Sequence, residues 1–303
     1  MSVPRITAVV VAYRSRGTIE ATLTALRPAY EEGLLACTVV DNHGGDGTHE
    51  LVVERFPWVR AIRGEVNLGF ARGNNLGLAG VESAYVLFLN PDASIGAEAL
   101  RRMADFMDAN PRVGVVGPAI LNNGMPGQPA GLFPTPRAVI REAALGKRSL
   151  GYFIDPGAAP YPADWVCGAV MLVRRELLDR LGGFDPRFFL YFEETDLCYR
   201  ARKLGYETWT LGEAVAEHRP GSSAEQESGL RYRGCIAEHY FRSRFYYFRK
   251  HYGWTVACGT EAAELVLLLL RAIRRKVRGT GRVGELTVRF RAPVFRQPAV
   301  PRR

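Results

Sequence analysis

Cysteine is scarce: Cys37, Cys167, Cys198, Cys235 and Cys258 are the only five in 303 residues. The count is odd and no pair has CxxC spacing. A disulfide framework or zinc knuckle is therefore not expected, and reduced cytosolic thiols fit better. A G-x-G-x-x-G turn is missing after the first strand-like run, where Ala12-Tyr13-Arg14-Ser15-Arg16-Gly17 stands instead. A GxxxxGK[ST] loop is missing as well. These two absences argue against a dinucleotide-dependent enzyme and a P-loop NTPase. The longest apolar run near the C-terminus, Leu265–Leu270, falls far short of the roughly 20 residues that span a bilayer. The N-terminus lacks a basic segment followed by a long apolar one, so no signal peptide is expected. No internal repeat or low-complexity block is present.

What is there is the composition of a globular chain, 47% hydrophobic and 23% charged, which excludes disordered and fibrous classes. The net charge of +9 is unevenly placed. Eleven of the 40 Lys/Arg but only one of the 31 acidic residues (Glu285) lie from Arg271 onward. The tail is thus basic and the body nearly neutral, which speaks against a nucleic-acid partner and for a local function of the tail.

Apolar runs at Ile6–Ala12, Cys37–Asp41, Val59–Arg63, Tyr85–Leu89 and Val113–Val116 read as strands. Helical patterns at 17–26, 48–55, 71–81 and 97–109 alternate with them. This rhythm predicts an α/β fold with a mainly parallel sheet. Residues 122–162 are rich in Gly and Pro and read as a long irregular excursion. Further strands are expected at Trp165–Val173 and Tyr206–Leu211, and helices at Arg175–Leu181, from about Glu194, and over 231–251 and 255–277.

Ligands of open α/β sheets bind beyond the carboxyl ends of the strands. Asp41 ends the second predicted strand and Asp92 follows the fourth, so both fall on that edge. Each could contact a nucleotide or simply cap a turn. Asp46 and the Gly-rich loop beside Asp41 add weight to the first reading.

The ordered set VVVAYRS, VVDNHGGDGT, NLGFARGNNLGL, FLNPDA, CGAVMLVRRELLDRLGGFDPRFFLYFEETDLCYRARKLGY and EHRPGSS resembles family 2 glycosyltransferases, most closely rhamnosyltransferase-like members. The resemblance spans about residues 5–252. It implies a GT-A fold, with a Rossmann-like nucleotide-binding half and a mixed, mainly parallel sheet, plus C-terminal helices. The expected division is 1–230 for that domain, 231–280 for a helical extension and 281–303 for a basic tail.

Site roles follow from the same resemblance. Asn90-Pro91-Asp92 matches the position of the family's DxD, with one carboxylate, Asp92, remaining. His218 matches a second ligand position for a divalent metal, Mg2+ or Mn2+. Tyr13, Asp41, Asn67, Gly69, Asn75 and Asp92 match nucleotide-binding positions. Where the family often has Arg-Asn, this chain has Asn74-Asn75, and Arg72 could replace the lost cation. Glu193-Glu194 matches the family's Glu-Asp pair, making Glu194 the expected general base and Asp196 its positioning partner. A carboxylate near the acceptor hydroxyl can take its proton, and adjacent like charges raise one pKa. Alternatively the acids favour a helix N-terminus, and Asp196 pairs with Arg200. Trp165, Gly168, Ala169 and Glu193 would line the acceptor side, with Phe189 and Tyr191 as walls.

The implied reaction is inverting transfer from a nucleotide-sugar, a dTDP-sugar such as dTDP-rhamnose being favoured. The acceptor would be a glycan or a polyprenyl-linked sugar, in cell-surface polysaccharide synthesis. A UDP- or GDP-sugar donor, or an impaired protein that binds nucleotide-sugars without turnover, are the alternatives. The 262–277 segment sets Leu265, Leu268, Leu269 and Ala272 beside Arg271, Arg274, Arg275 and Lys276. Such a helix suits an anionic membrane surface, and would place the protein on the inner face of the cell membrane. Packing on the body or a dimer contact are the competing uses.

Overall fold

A computed structural model describes residues 3–145, 151–219 and 234–277, and the single residue Val294. The remainder, including Pro220–Ser223 of the EHRPGSS segment and nearly all of the 281–303 tail, lies outside the described residues. The first half runs β1 (Ile6–Ala12), α1 (Ile19–Glu31), β2 (Leu35–Asp41), α2 (Thr48–Arg55), β3 (Arg60–Arg63), α3 (Gly69–Gly77), β4 (Tyr85–Leu89), β5 (Ala93–Ile95), α4 (Ala97–Ala109) and β6 (Val113–Asn122). Short elements follow: β7 (Met125–Pro126), β8 (Ala130–Gly131), α5 (Pro136–Leu145), β9 (Gly151–Tyr152), β10 (Tyr161–Ala163) and β11 (Trp165–Val166). The last part is β12 (Val170–Arg174), α6 (Arg175–Leu181), α7 (Glu193–Lys203), β13 (Glu207–His218), α8 (Gly234–Tyr252) and α9 (Trp254–Val277).

The main sheet has the order β10-β13-β6-β12-β4-β1-β2-β3. Strands β4, β1, β2 and β3 are parallel, β12 is antiparallel to β4 and β6, and β13 is parallel to β6. The sheet is mixed, and the carboxyl ends of β1, β2, β4 and β13 share one edge. Every residue of β1 and β4 is buried, because both faces are covered. Ile6, Ala8, Val10 and Ala12 join a core with Leu23 of α1 and Leu100 and Met103 of α4. Val9, Val86 and Phe88 face the other way, toward Leu177 of α6, Leu197 of α7 and Phe245, Tyr247 and Phe248 of α8. Helix α3 approaches β1 so closely that a Cβ at Gly77 would stand 2.3 Å from Val9 Cγ1.

The 122–162 excursion is more ordered than its composition suggests. It holds helix α5 and contributes β8 and β9 to a three-stranded sheet ordered β11-β8-β9. The single strand expected over 165–173 is split, since 167–169 leave β11 before β12 begins. Helix α5 packs along α9, where Arg271 Nη1 donates to the Ala143 carbonyl at 3.0 Å. That packing rotates the expected apolar face of α9. Leu265, Leu268 and Ala272 are partly covered, whereas Val266, Leu269, Leu270 and Ile273 are exposed. Val294 packs against the α8-side core.

Candidate active site

The shared carboxyl edge collects the predicted residues from several elements. Strand β13 continues past its predicted end and pairs with β5, setting His218 opposite Ala93. This brings His218 Nε2 within 3.2 Å of Asp92 Oδ1, with 19% and 18% of the two side chains exposed. The Arg219 N–H donates to the Asp92 carbonyl at 2.9 Å, securing the crossing. Among the described residues no group of three or more His, Cys, Asp or Glu converges. One carboxylate oxygen and one imidazole nitrogen can nonetheless hold Mg2+ or Mn2+ if phosphate oxygens and water complete the shell. The donor set fits that ion.

Asp41 is buried at the end of β2, and its Oδ1 accepts from the Gly44 N–H at 3.0 Å. Asp46 supports the start of α2, where its Oδ1 accepts from the Thr48 N–H and hydroxyl at 3.2 and 2.6 Å. Tyr13 is exposed at the end of β1, with the Arg14 guanidinium 5.5 Å from its ring. Arg14 and His43 both have left-handed backbones, φ 53° and 62°. Such strain in two facing loops at one sheet edge is common at ligand sites.

Asn42 does not stand out in the sequence, yet it builds this loop system. Its Nδ2 donates to Asn67 Oδ1 at 3.0 Å and to the Gly69 carbonyl at 3.2 Å, while its Oδ1 accepts from the Leu68 N–H at 2.9 Å. The only hint is its place directly after Asp41. Gly69 is required for two reasons: its φ is +76°, and a Cβ would lie 2.4 Å from the Phe189 carbonyl oxygen. Asn75 turns away from this loop. Its amide donates to the Phe184 carbonyl at 2.8 Å and accepts from the Phe184 N–H at 2.9 Å. Arg72 Nε donates to the Pro186 carbonyl at 3.1 Å.

Glu193 and Glu194 open α7 directly after Tyr191 and Phe192, whose φ values are 69° and 68°. Two consecutive bulky left-handed residues cost about 1–3 kcal/mol each. Burial pushes the Glu194 carboxyl up to about 7. Burial, then the Glu194 charge, pushes buried Glu193 well above the ordinary range. Desolvation therefore outweighs the like-charge repulsion expected from sequence. A Cβ on Gly168 would stand 3.6 Å from Glu194 Cβ and 3.7 Å from a Phe70 ring carbon. The next residue, Ala169, accepts from the Asn90 N–H at 2.9 Å. The 168–169 segment thus joins the Glu194 side to the Asp92 side. Trp165 lies in β11 beside α7, its Nε1 donating to the Leu132 carbonyl at 2.9 Å.

Asp196, expected among the catalytic residues, has 0% of its side chain exposed. Arg200 Nε donates to its Oδ2 at 2.7 Å, and His251 Nε2 and Lys250 Nζ lie 2.8 and 2.6 Å from its Oδ1. Burial opposes its charge, but the His251 hydrogen bond and the Arg200 and Lys250 charges hold its pKa below the usual range. With both oxygens engaged and no surface, it does not reach a substrate. Its contacts instead tie α7 to the end of α8.

A mixed sheet of this order, with a carboxylate–imidazole pair at the carboxyl edge and an uphill-shifted carboxyl across a glycine, is that of a GT-A glycosyltransferase. The chain belongs to glycosyl transferase family 2, whose sequence profile matches residues 7–182. It is 27% identical over 301 residues to an N-acetylglucosaminyl-diphospho-decaprenol L-rhamnosyltransferase of Mycobacterium tuberculosis, covering 89% of this chain and 94% of that protein. Its fold is similar to that of the mannosyltransferase PcManGT from Pyrobaculum calidifontis, solved with GDP-Man and Mn2+. The TM-score there is 0.58 at 18% identity, over 96% of this chain and 87% of the other. S. aureus TarS 1–349 with UDP-GlcNAc is also similar, at TM-score 0.53 and 18% identity, over 94% of this chain and 90% of the other. No helix among the described residues is long and apolar enough to cross a membrane.

Proposed function

We propose that the protein transfers rhamnose from dTDP-rhamnose, with inversion, to a hydroxyl of a polyprenyl-diphosphate-linked sugar. The observation that carries the transfer reading is the Asp92–His218 pair at 3.2 Å, joined through 168–169 to Glu194 with its carboxyl raised to about 7. The rhamnose and lipid assignments are supported by the mycobacterial relative, which aligns over nearly the whole chain. The nucleotide lies along the β1–β2 edge against Tyr13, Asp41 and the 67–69 loop. Asp92 and His218 are the residues that would hold a divalent cation, and its positive charge would offset the charge of the departing diphosphate.

Glu194, ionised, accepts the acceptor hydroxyl proton. The freed oxygen attacks the anomeric carbon from the face opposite the nucleotide, and the sugar–phosphate bond breaks. A base with a pKa near the working pH is suited to this proton transfer. Trp165 and Gly168 border the acceptor. The exposed Val266, Leu269, Leu270 and Ile273 of α9 rest in an anionic membrane interface on the inner face of the cell membrane, assisted by the basic segment from Arg271 onward. The test offers dTDP-rhamnose, UDP-GlcNAc and GDP-mannose in turn, with Mn2+ or Mg2+ and a short polyprenyl-diphosphate-GlcNAc. Rhamnosylated lipid supports the reading. Transfer from another donor corrects the sugar, and nucleotide-sugar affinity without transfer assigns an impaired binder.

A further inference from the structure

Helix α8 grips the turn that launches Glu193 and Glu194. Along residues 188–192, Phe188 meets Tyr246 edge-on at 4.9 Å and Phe189 stacks on His239 at 4.6 Å. The Leu190 carbonyl accepts from the Ser243 hydroxyl at 2.8 Å. Tyr191 and Phe192 both contact Tyr240. The end of the helix adds charge: Lys250 Nζ lies 2.7 Å from Asp185 Oδ2, before the turn, and 2.6 Å from Asp196 Oδ1, after it.

We infer that Lys250 is a positioning residue for Glu194, tying the two ends of the strained 188–192 turn so that α7 presents its carboxylate in one place. The inference rests on the proposed role of Glu194 as the base. Charge matching alone does not need Lys250. Asp185 already receives Arg187 through two contacts of 2.9 Å and the Tyr246 hydroxyl at 3.0 Å. Asp196 already has Arg200 and His251. Without Lys250 each buried carboxylate keeps a guanidinium, so no unmatched charge remains to unfold the site. What is lost is the only one of these cations that touches both acids. Left-handed Tyr191 and Phe192 persist only where their surroundings over-determine them. A catalytic group displaced by about 1 Å loses on the order of 100-fold in rate.

The test is Lys250→Met in the full chain, which keeps the length and removes the charge. With dTDP-rhamnose and polyprenyl-diphosphate-GlcNAc, kcat should fall by about ten-fold or more, with the donor KM and the melting temperature little changed. Lys250→Arg, which keeps a cation with several donors, should recover part of the loss. Wild-type kcat in a folded Lys250→Met protein overturns the inference. A second readout needs no substrate: the Asp196 N–H, which donates to the Phe192 carbonyl at 2.8 Å, should exchange faster in Lys250→Met while β1 and β4 amides are unchanged. Unchanged Asp196 exchange overturns the inference too, even where the donor assignment has failed. If Lys250→Met does not fold, Ser243→Ala, which frees the Leu190 carbonyl, should lower kcat at constant donor KM, and wild-type kcat there counts against the grip of α8.

Discussion

Asp92 and His218 meet at 3.2 Å because β13 runs on past its bulge and pairs with β5. Asn90 leaves Asp92 as the one carboxylate of its motif, and Glu217, directly before His218, accepts from Arg219 Nη2 at 3.0 Å instead. The two should therefore act as a unit. Asp92→Ala and His218→Ala should each lower turnover by orders of magnitude, and the double variant should be little worse than either single one. Excess EDTA should silence the wild type, with Mn2+ or Mg2+ restoring it. Full activity in EDTA would remove the metal from the scheme.

The raised Glu194 carboxyl makes a paired prediction about rate and stability. The base works ionised, so kcat should climb as pH rises toward about 7 and level off above, rather than near the ordinary value of about 4.3. Because its folded pKa is raised, the native state binds more protons than the unfolded one across that window. Stability contributed by the protonated carboxyl is present at low pH and is lost as pH rises from about 4.3 to about 7. Glu194→Gln should thus melt higher than wild type at pH 8 and nearly equal to it at pH 4. A lower melting temperature for the variant at pH 8 would count against the burial of this carboxyl.

Asn75 separates a ligand contact from a scaffold. Both ends of its amide hold Phe184, so Asn75→Ala leaves that N–H and C=O short of partners, at a cost of about 1–3 kcal/mol. A clear drop in melting temperature with dTDP affinity retained in the folded fraction is expected. A loss of dTDP affinity at unchanged stability would restore the direct nucleotide role.

The α9 ridge predicts a specific pattern in vesicle flotation. Leu269→Asp with Ile273→Asp, both exposed, should weaken binding to anionic vesicles without lowering the melting temperature. Leu268→Asp, partly covered on the same helix, should destabilise the fold instead. Unchanged flotation by the exposed pair would reject this face.

Much of the architecture was readable because burial on both faces writes itself as unbroken apolar runs, as at Ile6–Ala12 and Tyr85–Leu89. The end of β13 was not readable. Gly212 and Glu213 interrupt the strand pattern, and at that break the Gly157 N–H of the 155–158 loop donates to the Gly212 carbonyl at 2.8 Å, a contact distant in sequence. Helix α5 was hidden within a Gly- and Pro-rich stretch because its burial depends on α9. Asp92, His218 and Glu194 were found through the ordered motifs. Lys250 and His251 were not, since cations in the last turn of a helix need no partner beyond that helix's own dipole. Their roles depend on the approach of α8 to Asp185 and Asp196, which no local pattern encodes.

The most direct test of the central claim is single-turnover transfer by Glu194→Gln, measured on protein shown to be folded and to bind dTDP-rhamnose as the wild type does. Loss of the base predicts a fall of roughly 100- to 10,000-fold in the chemical step, with the limb near pH 7 gone from what remains. Transfer at the wild-type rate, with the same pH dependence, would contradict Glu194 as the base.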